Sequence, residues 1–177
     1  MDTTIRFGRI LSHIIFRARI NSDKIIREIS EKTKNKNILE IGSGKKVDNE
    51  YCYSYKKYFE KNNRFLCSDV NREFGHRVID ITDMDIKNKF DMIICLNVLE
   101  HVYDYQKAVD NLQRALKKGG ELIVFIPYLY PLHDTPHDYF RFSEYALRRV
   151  FSKFTVIEIK HFGMRKLPTG YYIRLVK

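Results

Sequence analysis

The chain is expected to fold as an α/β protein built on a doubly wound, mostly parallel seven-stranded sheet with an antiparallel C-terminal edge strand. Three observations predict this. Five short apolar runs, Ile38 to Ile41, Arg64 to Ser68, Arg77 to Ile79, Met92 to Leu96 and Leu122 to Ile126, are separated by helical or irregular segments, as in a sheet covered on both faces. The first run leads into NILEIGSG, Asn37 to Gly44, where an acid and a GxG pair follow a buried strand. Two further strand candidates, Thr155 to Lys160 and Tyr171 to Val176, close the chain and are joined by a segment containing Gly163, Pro168 and Gly170, so they can pair antiparallel at an edge.

Taken in order, residues Ile5 to Lys34 carry apolar side chains at three and four spacing, Ile10, Leu11, Ile14 and Ile15, then Ile25, Ile26 and Ile29. Two helices fit, with a break and an N-cap among Asn21, Ser22 and Asp23. Residues 1–36 are therefore expected to form a helical segment packed on a core of residues 37–177, within one domain. Between Gly44 and Arg64 the chain is crowded with Tyr51, Tyr53, Tyr55, Tyr58 and Phe59, and only Tyr53 to Lys61 looks helical. Its aromatic face either packs on the sheet or offers a stacking surface to a base or sugar. A crossover helix is expected from Asp104 to Lys118, capped by Asp104, with Ala108, Val109, Leu112, Ala115 and Leu116 inward and Gly119–Gly120 ending it. A last helix, Ser143 to Phe151, carries a cap in Ser143.

At 177 residues, 44% hydrophobic and 31% charged, the chain can bury a full core. No apolar run approaches the roughly 20 residues of a membrane span. Ile10 to Phe16 is interrupted by Ser12 and His13 and lacks a small-residue cleavage site, so no signal peptide and a cytoplasmic location are expected. Cys52, Cys67 and Cys95 form no CxxC pair and fit a reducing compartment. The net charge of +10 invites an anionic partner, but the basic residues are spread along the chain, so nucleic acid is not favoured. Ile10, Leu11, Ile14 and Ile15 beside Arg6, Arg9, Arg17 and Arg19 could lie peripherally on an anionic inner membrane face.

Ligands of an open parallel sheet bind at the carboxyl ends of its strands. Gly42 and Gly44 would let a ligand lie against bare backbone, although a glycine pair can also be an ordinary turn. Asp69 closes FLCSD, 27 positions after Gly42, where a carboxylate can accept from both ribose hydroxyls. A third glycine is expected at 47 for a pyrophosphate, but Val47 stands there, and no GKS or GKT loop is present. A nucleoside cofactor without phosphates fits better than NAD or ATP.

In these residues the chain resembles the class I S-adenosylmethionine-dependent methyltransferases, which are Rossmann-like, over nearly everything from Asn37 to Phe162. LEIGSG looks like their first motif and SDV like their ribose-binding acid. VIDITDM with KFDMIICLNVLEHV resembles the segment around their third and fourth strands, and LQRALKKGGELIVFIP the helix and glycine turn before the fifth. Within them it is similar to a compact, methyltransferase type 11-like subset, often met in glycan or envelope biosynthesis. Val47 departs from that subset, where proline is common. The resemblance implies S-adenosyl-L-methionine as cofactor. It further implies that Glu40, Gly42, Ser43 and Gly44 line its methionine end, that Asp69 holds the ribose and Val70 touches the adenine. Asp80 or the Ile81 amide would contact the adenine amino group, and Leu96 with Asn97 would close beside the reacting methyl. His101 either faces the site or braces the next helix.

Pro127 to Phe142 concentrates His133, Asp134, His137, Asp138 and Arg141 within nine positions. His133 or His137 is a candidate general base for methyl transfer to oxygen, and Arg141 a candidate for orienting an anionic acceptor or the loop. Asp138 and Arg141 could instead form an ion pair that locks the loop, with Tyr139 and Phe142 packed beneath. No metal is expected, because Pro136 stands between His133 and His137 and helical register does not hold them together. The expected activity is O-methylation of a small molecule or of a glycan or envelope precursor. RNA or DNA methylation and a non-catalytic cofactor-binding module are the alternatives; Asn97 followed by Val98 and Leu99 is not an Asn-Pro-Pro-Tyr motif for a flipped base.

Overall fold

The computed structural model describes residues 20–45 and 53–177. The first of the two expected N-terminal helices, with its expected basic apolar face, Val47 and Cys52 lie outside the described residues. The described chain opens with a helix, α1, over 20–31. It continues with strands β1 (Asn37–Ile41), β2 (Arg64–Asp69), β3 (Arg77–Val78) and β4 (Phe90–Leu96), then helix α2 (Tyr105–Ala115) and β5 (Leu116–Pro127). Helix α3 (Glu144–Val150) precedes β6 (Thr155–Met164) and β7 (Leu167–Val176).

The seven strands form one sheet in the order β3-β2-β1-β4-β5-β7-β6. β1 pairs parallel with both β2 and β4, and β4 with β5, so the chain runs outward from β1 in one direction and then crosses back to its other side. That reversal leaves a crevice beyond the ends of β1 and β4. β7 runs antiparallel to β5 and to β6, so the reversed strand lies one place in from the edge.

Side-chain alternation divides the core into two clusters, which explains why the central strands read as unbroken apolar runs. Leu39, Ile93, Cys95, Leu122 and Val124 meet Ala108, Val109, Leu112, Leu147 and Phe151 from α2 and the α3 region on one face. Ile38, Met92, Ile94, Ile123 and Phe125 meet Ile26 of α1 and Phe59 on the other. Cys67 and Cys95 are buried free thiols. No helix among the described residues is long and apolar enough to cross a membrane.

Four boundaries differ from the sequence expectations. Asn21, Ser22 and Asp23 do not break the helix but lie inside α1, where Ser22 Oγ meets Tyr55 Oη at 2.9 Å. Tyr53 to Lys61 yields only a 3₁₀ turn at Tyr55–Tyr58, because Ser54 and the Tyr55 amide are drawn to a buried carboxylate. α2 stops at Ala115, and Asp104 makes no side-chain cap bond. Leu116 is already paired with Phe90, and Gly119 and Gly120 lie within β5 instead of ending the helix. The segment with Gly163, Pro168 and Gly170 is ladder as well, pairing Gly163 with Pro168 and leaving only Arg165 and Lys166 at the turn. α3 begins as expected, with Ser143 Oγ accepting from the Ala146 amide.

Leu112 is fully buried where α2 meets the sheet. Leu112→Ala should cost about 2–5 kcal/mol of unfolding free energy, read as a lower urea midpoint at an unchanged slope.

Candidate active site

The crevice beyond β1 and β4 holds a cavity of about 360 Å³. Gly42, Gly44 and Tyr53 line one side, Leu96, Asn97 and Phe125 the floor, and His101, Tyr130, His133 and Asp134 the other end. Gly42 and Gly44 have φ of +72° and +70°. A Cβ on Gly42 would stand 2.5 Å from Val98 Cγ2, and one on Gly44 2.8 Å from Tyr53 Cβ. Both the backbone conformation and the space therefore require glycine here.

The loop is held from beneath by Glu40, a carboxylate only 2% exposed. Its Oε1 accepts from the Tyr55 amide at 2.7 Å, and its Oε2 from Ser43 Oγ at 2.7 Å and from Ser54 Oγ. Asp69 Oδ2 accepts from the Gly44 amide at 3.0 Å and Oδ1 from the Asn71 amide at 3.0 Å. A carboxylate has about four acceptor positions, so this one retains capacity for two hydroxyls. His76 Nε2 meets the Gly44 carbonyl at 2.8 Å. Val70 is exposed, Asp80 Oδ1 accepts from the Thr82 amide and hydroxyl, and Ile81 is buried with its carbonyl bonded by Asn111. A third neighbouring group belongs to the floor: Asn97 adopts φ +53°, with its amide bonded to the Phe125 carbonyl. A cradle that a Cβ would fill, a neighbouring acid with acceptor positions to spare and a cavity of this volume fit S-adenosylmethionine.

The opposite end of the cavity is made by the segment after β5. Its backbone docks on Glu100, whose carbonyl accepts from the Tyr139 and Phe140 amides at 2.9 and 3.2 Å. Arg141 grips Asp138 with both terminal nitrogens and also donates to the Phe140 and Pro131 carbonyls. The guanidinium holds the Asp138 carboxyl well below the usual carboxylate range. Tyr105 packs edge-on against Phe140 and Phe142, with centroids 5.0 and 5.1 Å away. Arg141 thus sits in the loop-locking ion pair. The His137 ring meets Tyr139 Oη at 2.8 Å and is not among the cavity-lining groups, while its carbonyl contacts His101 Nδ1 at 3.0 Å.

Along the chain His133 is weighed against His137; the fold instead gathers His133 with His101 and Glu100. The two Nε2 atoms are 3.1 Å apart, and Glu100 Oε1 lies 3.8 and 3.9 Å from them. Glu100 is fully buried, and neither carboxylate oxygen has a hydrogen-bond partner among the described residues. Burial pushes its carboxyl up to about 8 and the His101 imidazole down. These three side chains lie close enough together for one metal ion. Glu100 was hidden in the sequence because it follows the buried Leu99 in an apolar stretch; an acid beside a histidine just past a central strand was its only signal. Tyr53, Ser54 and Tyr130 also belong to the site, and the first two come from the aromatic segment whose stacking role the sequence left open.

A doubly wound sheet whose switch-point crevice carries a glycine cradle and a nucleoside-type acid defines a class I, S-adenosylmethionine-binding methyltransferase fold. A family profile described as a methyltransferase domain matches residues 13–159. The chain belongs to that family, and its cofactor is S-adenosylmethionine. Among solved structures, the N-methyltransferase NodS of Bradyrhizobium japonicum in complex with S-adenosyl-L-homocysteine superposes with a TM-score of 0.68 at 16% identity, covering 90% of this chain and 87% of that one. A methyltransferase of Haloferax volcanii, described as putative and crystallised with the Trm112 methyltransferase activator, gives 0.68 at 14% identity over 86% of each chain. The 1,6-didemethyltoxoflavin-N1-methyltransferase of Burkholderia thailandensis gives 0.62 at 15% identity over 100% and 91%. A curated sequence relative, an uncharacterized protein of Methanocaldococcus jannaschii, is 51% identical over 39 residues, which is 22% of this chain and 17% of that protein.

Two outcomes are expected. Gly42→Ala should keep the fold by circular dichroism yet weaken S-adenosylhomocysteine binding at least about tenfold in calorimetry, because the strained turn and Val98 must both shift. Glu100 has a folded-state pKa near 8, above the unfolded value of about 4.3, so the native state holds its proton more tightly. Its cost to stability is therefore absent below about pH 4 and grows as pH rises toward 8. Glu100→Gln should flatten that decline in urea midpoints measured from pH 4 to 8 with a chelator present.

Proposed function

We propose that this protein transfers a methyl group from S-adenosylmethionine to a hydroxyl oxygen on a small molecule or on a glycan or envelope precursor. The observation that carries the proposal is the arrangement of one cavity, with the glycine cradle at one end and the His101 and His133 side chains at the other, backed by the buried Glu100. When bound, the cofactor supplies a methyl group activated on a sulfonium. The chain's own contribution is to align the acceptor, exclude water and remove the acceptor's proton as the oxygen–carbon bond forms. A neutral hydroxyl is a weak nucleophile that surrenders its proton as the new bond forms, and a polar, partly buried cluster at that end of the cavity suits this need.

Each group has a part in this scheme. Gly42 and Gly44 admit the cofactor backbone-close, Asp69 offers its remaining acceptor positions to ribose hydroxyls, and Leu96 with Asn97 forms the floor between the two ends. Arg141 acts through Asp138, fixing the loop that carries His133. Asp138 Oδ2 accepts from the His133 amide at 2.9 Å, so the ion pair and the histidine are one rigid unit.

The test is a label-transfer screen with radiolabelled methyl donor against sugars, lipid-linked glycans and small hydroxylated acids, with S-adenosylhomocysteine calorimetry in parallel. Turnover on a hydroxyl acceptor, lost by on the order of 100-fold in His133→Ala with cofactor affinity retained, is the expected result. Methyl incorporation confined to amines or nucleic acid, or turnover unchanged in His133→Ala, would overturn the oxygen assignment.

A further inference from the structure

We propose that Glu100, His101 and His133 form a binding site for one divalent transition-metal cation at the acceptor end of the cavity. The first support is the protonation pattern that the neighbours impose. His101 Nδ1 faces the His137 carbonyl at 3.0 Å, and His133 Nδ1 faces the Pro131 carbonyl at 3.1 Å and the Asp138 carboxylate at 3.2 Å. Carbonyl and carboxylate oxygens only accept, so each ring in its neutral form carries its N–H at Nδ1 and leaves Nε2 bare. This is the arrangement in which a ligating histidine is oriented by an acceptor behind it. Two bare nitrogens then point at each other across 3.1 Å.

The second support is Glu100. Its side chain is fully buried, and both oxygens lack a hydrogen-bond partner among the described residues, a costly state for a buried polar group whether or not it is ionised. A proton shared between the two imidazoles would leave that carboxylate unpaired. A cation would satisfy all three groups together.

The third support is metric. The triangle formed by His101 Nε2, His133 Nε2 and Glu100 Oε1 has sides of 3.1, 3.8 and 3.9 Å. The point equidistant from its corners lies about 2.1 Å from each, within the 2.0–2.2 Å at which imidazole nitrogen and carboxylate oxygen bind zinc. Two imidazoles and one carboxylate suit zinc, manganese, iron or cobalt better than magnesium or calcium. Three protein ligands leave further positions open, and the cavity lined by His101, His133 and Asp134 borders them. A bound hydroxyl there is made more acidic by the cation. The purpose of the site thus rests on the O-methylation proposed above, while its existence does not.

The experiment is calorimetric titration of chelator-treated, full-length protein with Zn²⁺ and Mn²⁺, together with the visible absorption of the Co²⁺-loaded protein. S-adenosylhomocysteine affinity is measured on the same samples. One equivalent should bind, with affinity falling at least about tenfold in His133→Ala and in Glu100→Gln, and staying unchanged in His161→Ala, which alters an exposed histidine on β6. His133 lies on a loop, so its variant remains informative if Glu100→Gln does not fold. No binding, or binding equal in wild type and His133→Ala, overturns the metal site while intact S-adenosylhomocysteine binding leaves the cofactor assignment standing. Metal binding with the expected losses, in protein that methylates no hydroxyl, supports the site and removes only its assigned purpose.

Discussion

The buried carboxylate of Glu40 is the constraint on which the cofactor side depends. It closes β1 almost out of contact with water, where an unpaired charge would cost several kcal/mol. Three donors answer it, one from the glycine loop and two from the start of the aromatic segment. Satisfying that charge fixes the Gly42–Gly44 turn and the Tyr53–Tyr55 strip with respect to each other, and those two pieces form one wall of the cavity. Ser43 passes the constraint on, since its hydroxyl also accepts from the Ser68 amide and its own amide donates to the Ser68 carbonyl. The wall is therefore tied to the end of β2, where Asp69 stands.

On the other side of the cavity Glu100 stands in the short turn past β4 and is buried still more completely, yet its carboxyl oxygens have no such donors among the described residues. The two acids share a chemistry and a depth, and they differ in whether the fold provides for them. A fully satisfied buried acid is architecture; one without a donor among the described residues, beside two imidazoles, is the observation on which the proposed cation site rests. The contrast also separates the two ends of the cavity, one preassembled by protein hydrogen bonds and the other holding polar groups without them.

Much of the fold was legible because its signals are local. β1, β2 and β4 announce themselves as apolar runs, and Ser143 marks the start of α3. The glycines were legible because only a glycine tolerates φ of about +70° beside Val98 and Tyr53. What failed to show were features decided by tertiary pairing. Leu116 to Gly120 has a helix-like start, yet the free edge of β4 claims it as strand. Tyr53 to Lys61 has helical spacing, but Glu40 extracts the Tyr55 amide and the Ser54 hydroxyl and leaves a single turn. The His101–His133 pair spans 32 positions, and no spacing rule along the chain can report a contact of that range.

The acceptor end also separates docking from chemistry at a single residue. The segment from Tyr128 to Phe142 is held by the Glu100 carbonyl, by the Asp138–Arg141 pair and by aromatic packing on Tyr105. None of these attachments uses the Glu100 side chain. A change in that carboxylate therefore leaves these attachments in place, whereas a change at Arg141 removes the pair that holds Asp138, which in turn accepts from the His133 amide. Exposed side chains such as Leu129 and Leu132 can change on a scaffold anchored by backbone atoms, one part-buried ion pair and the aromatic packing on Tyr105.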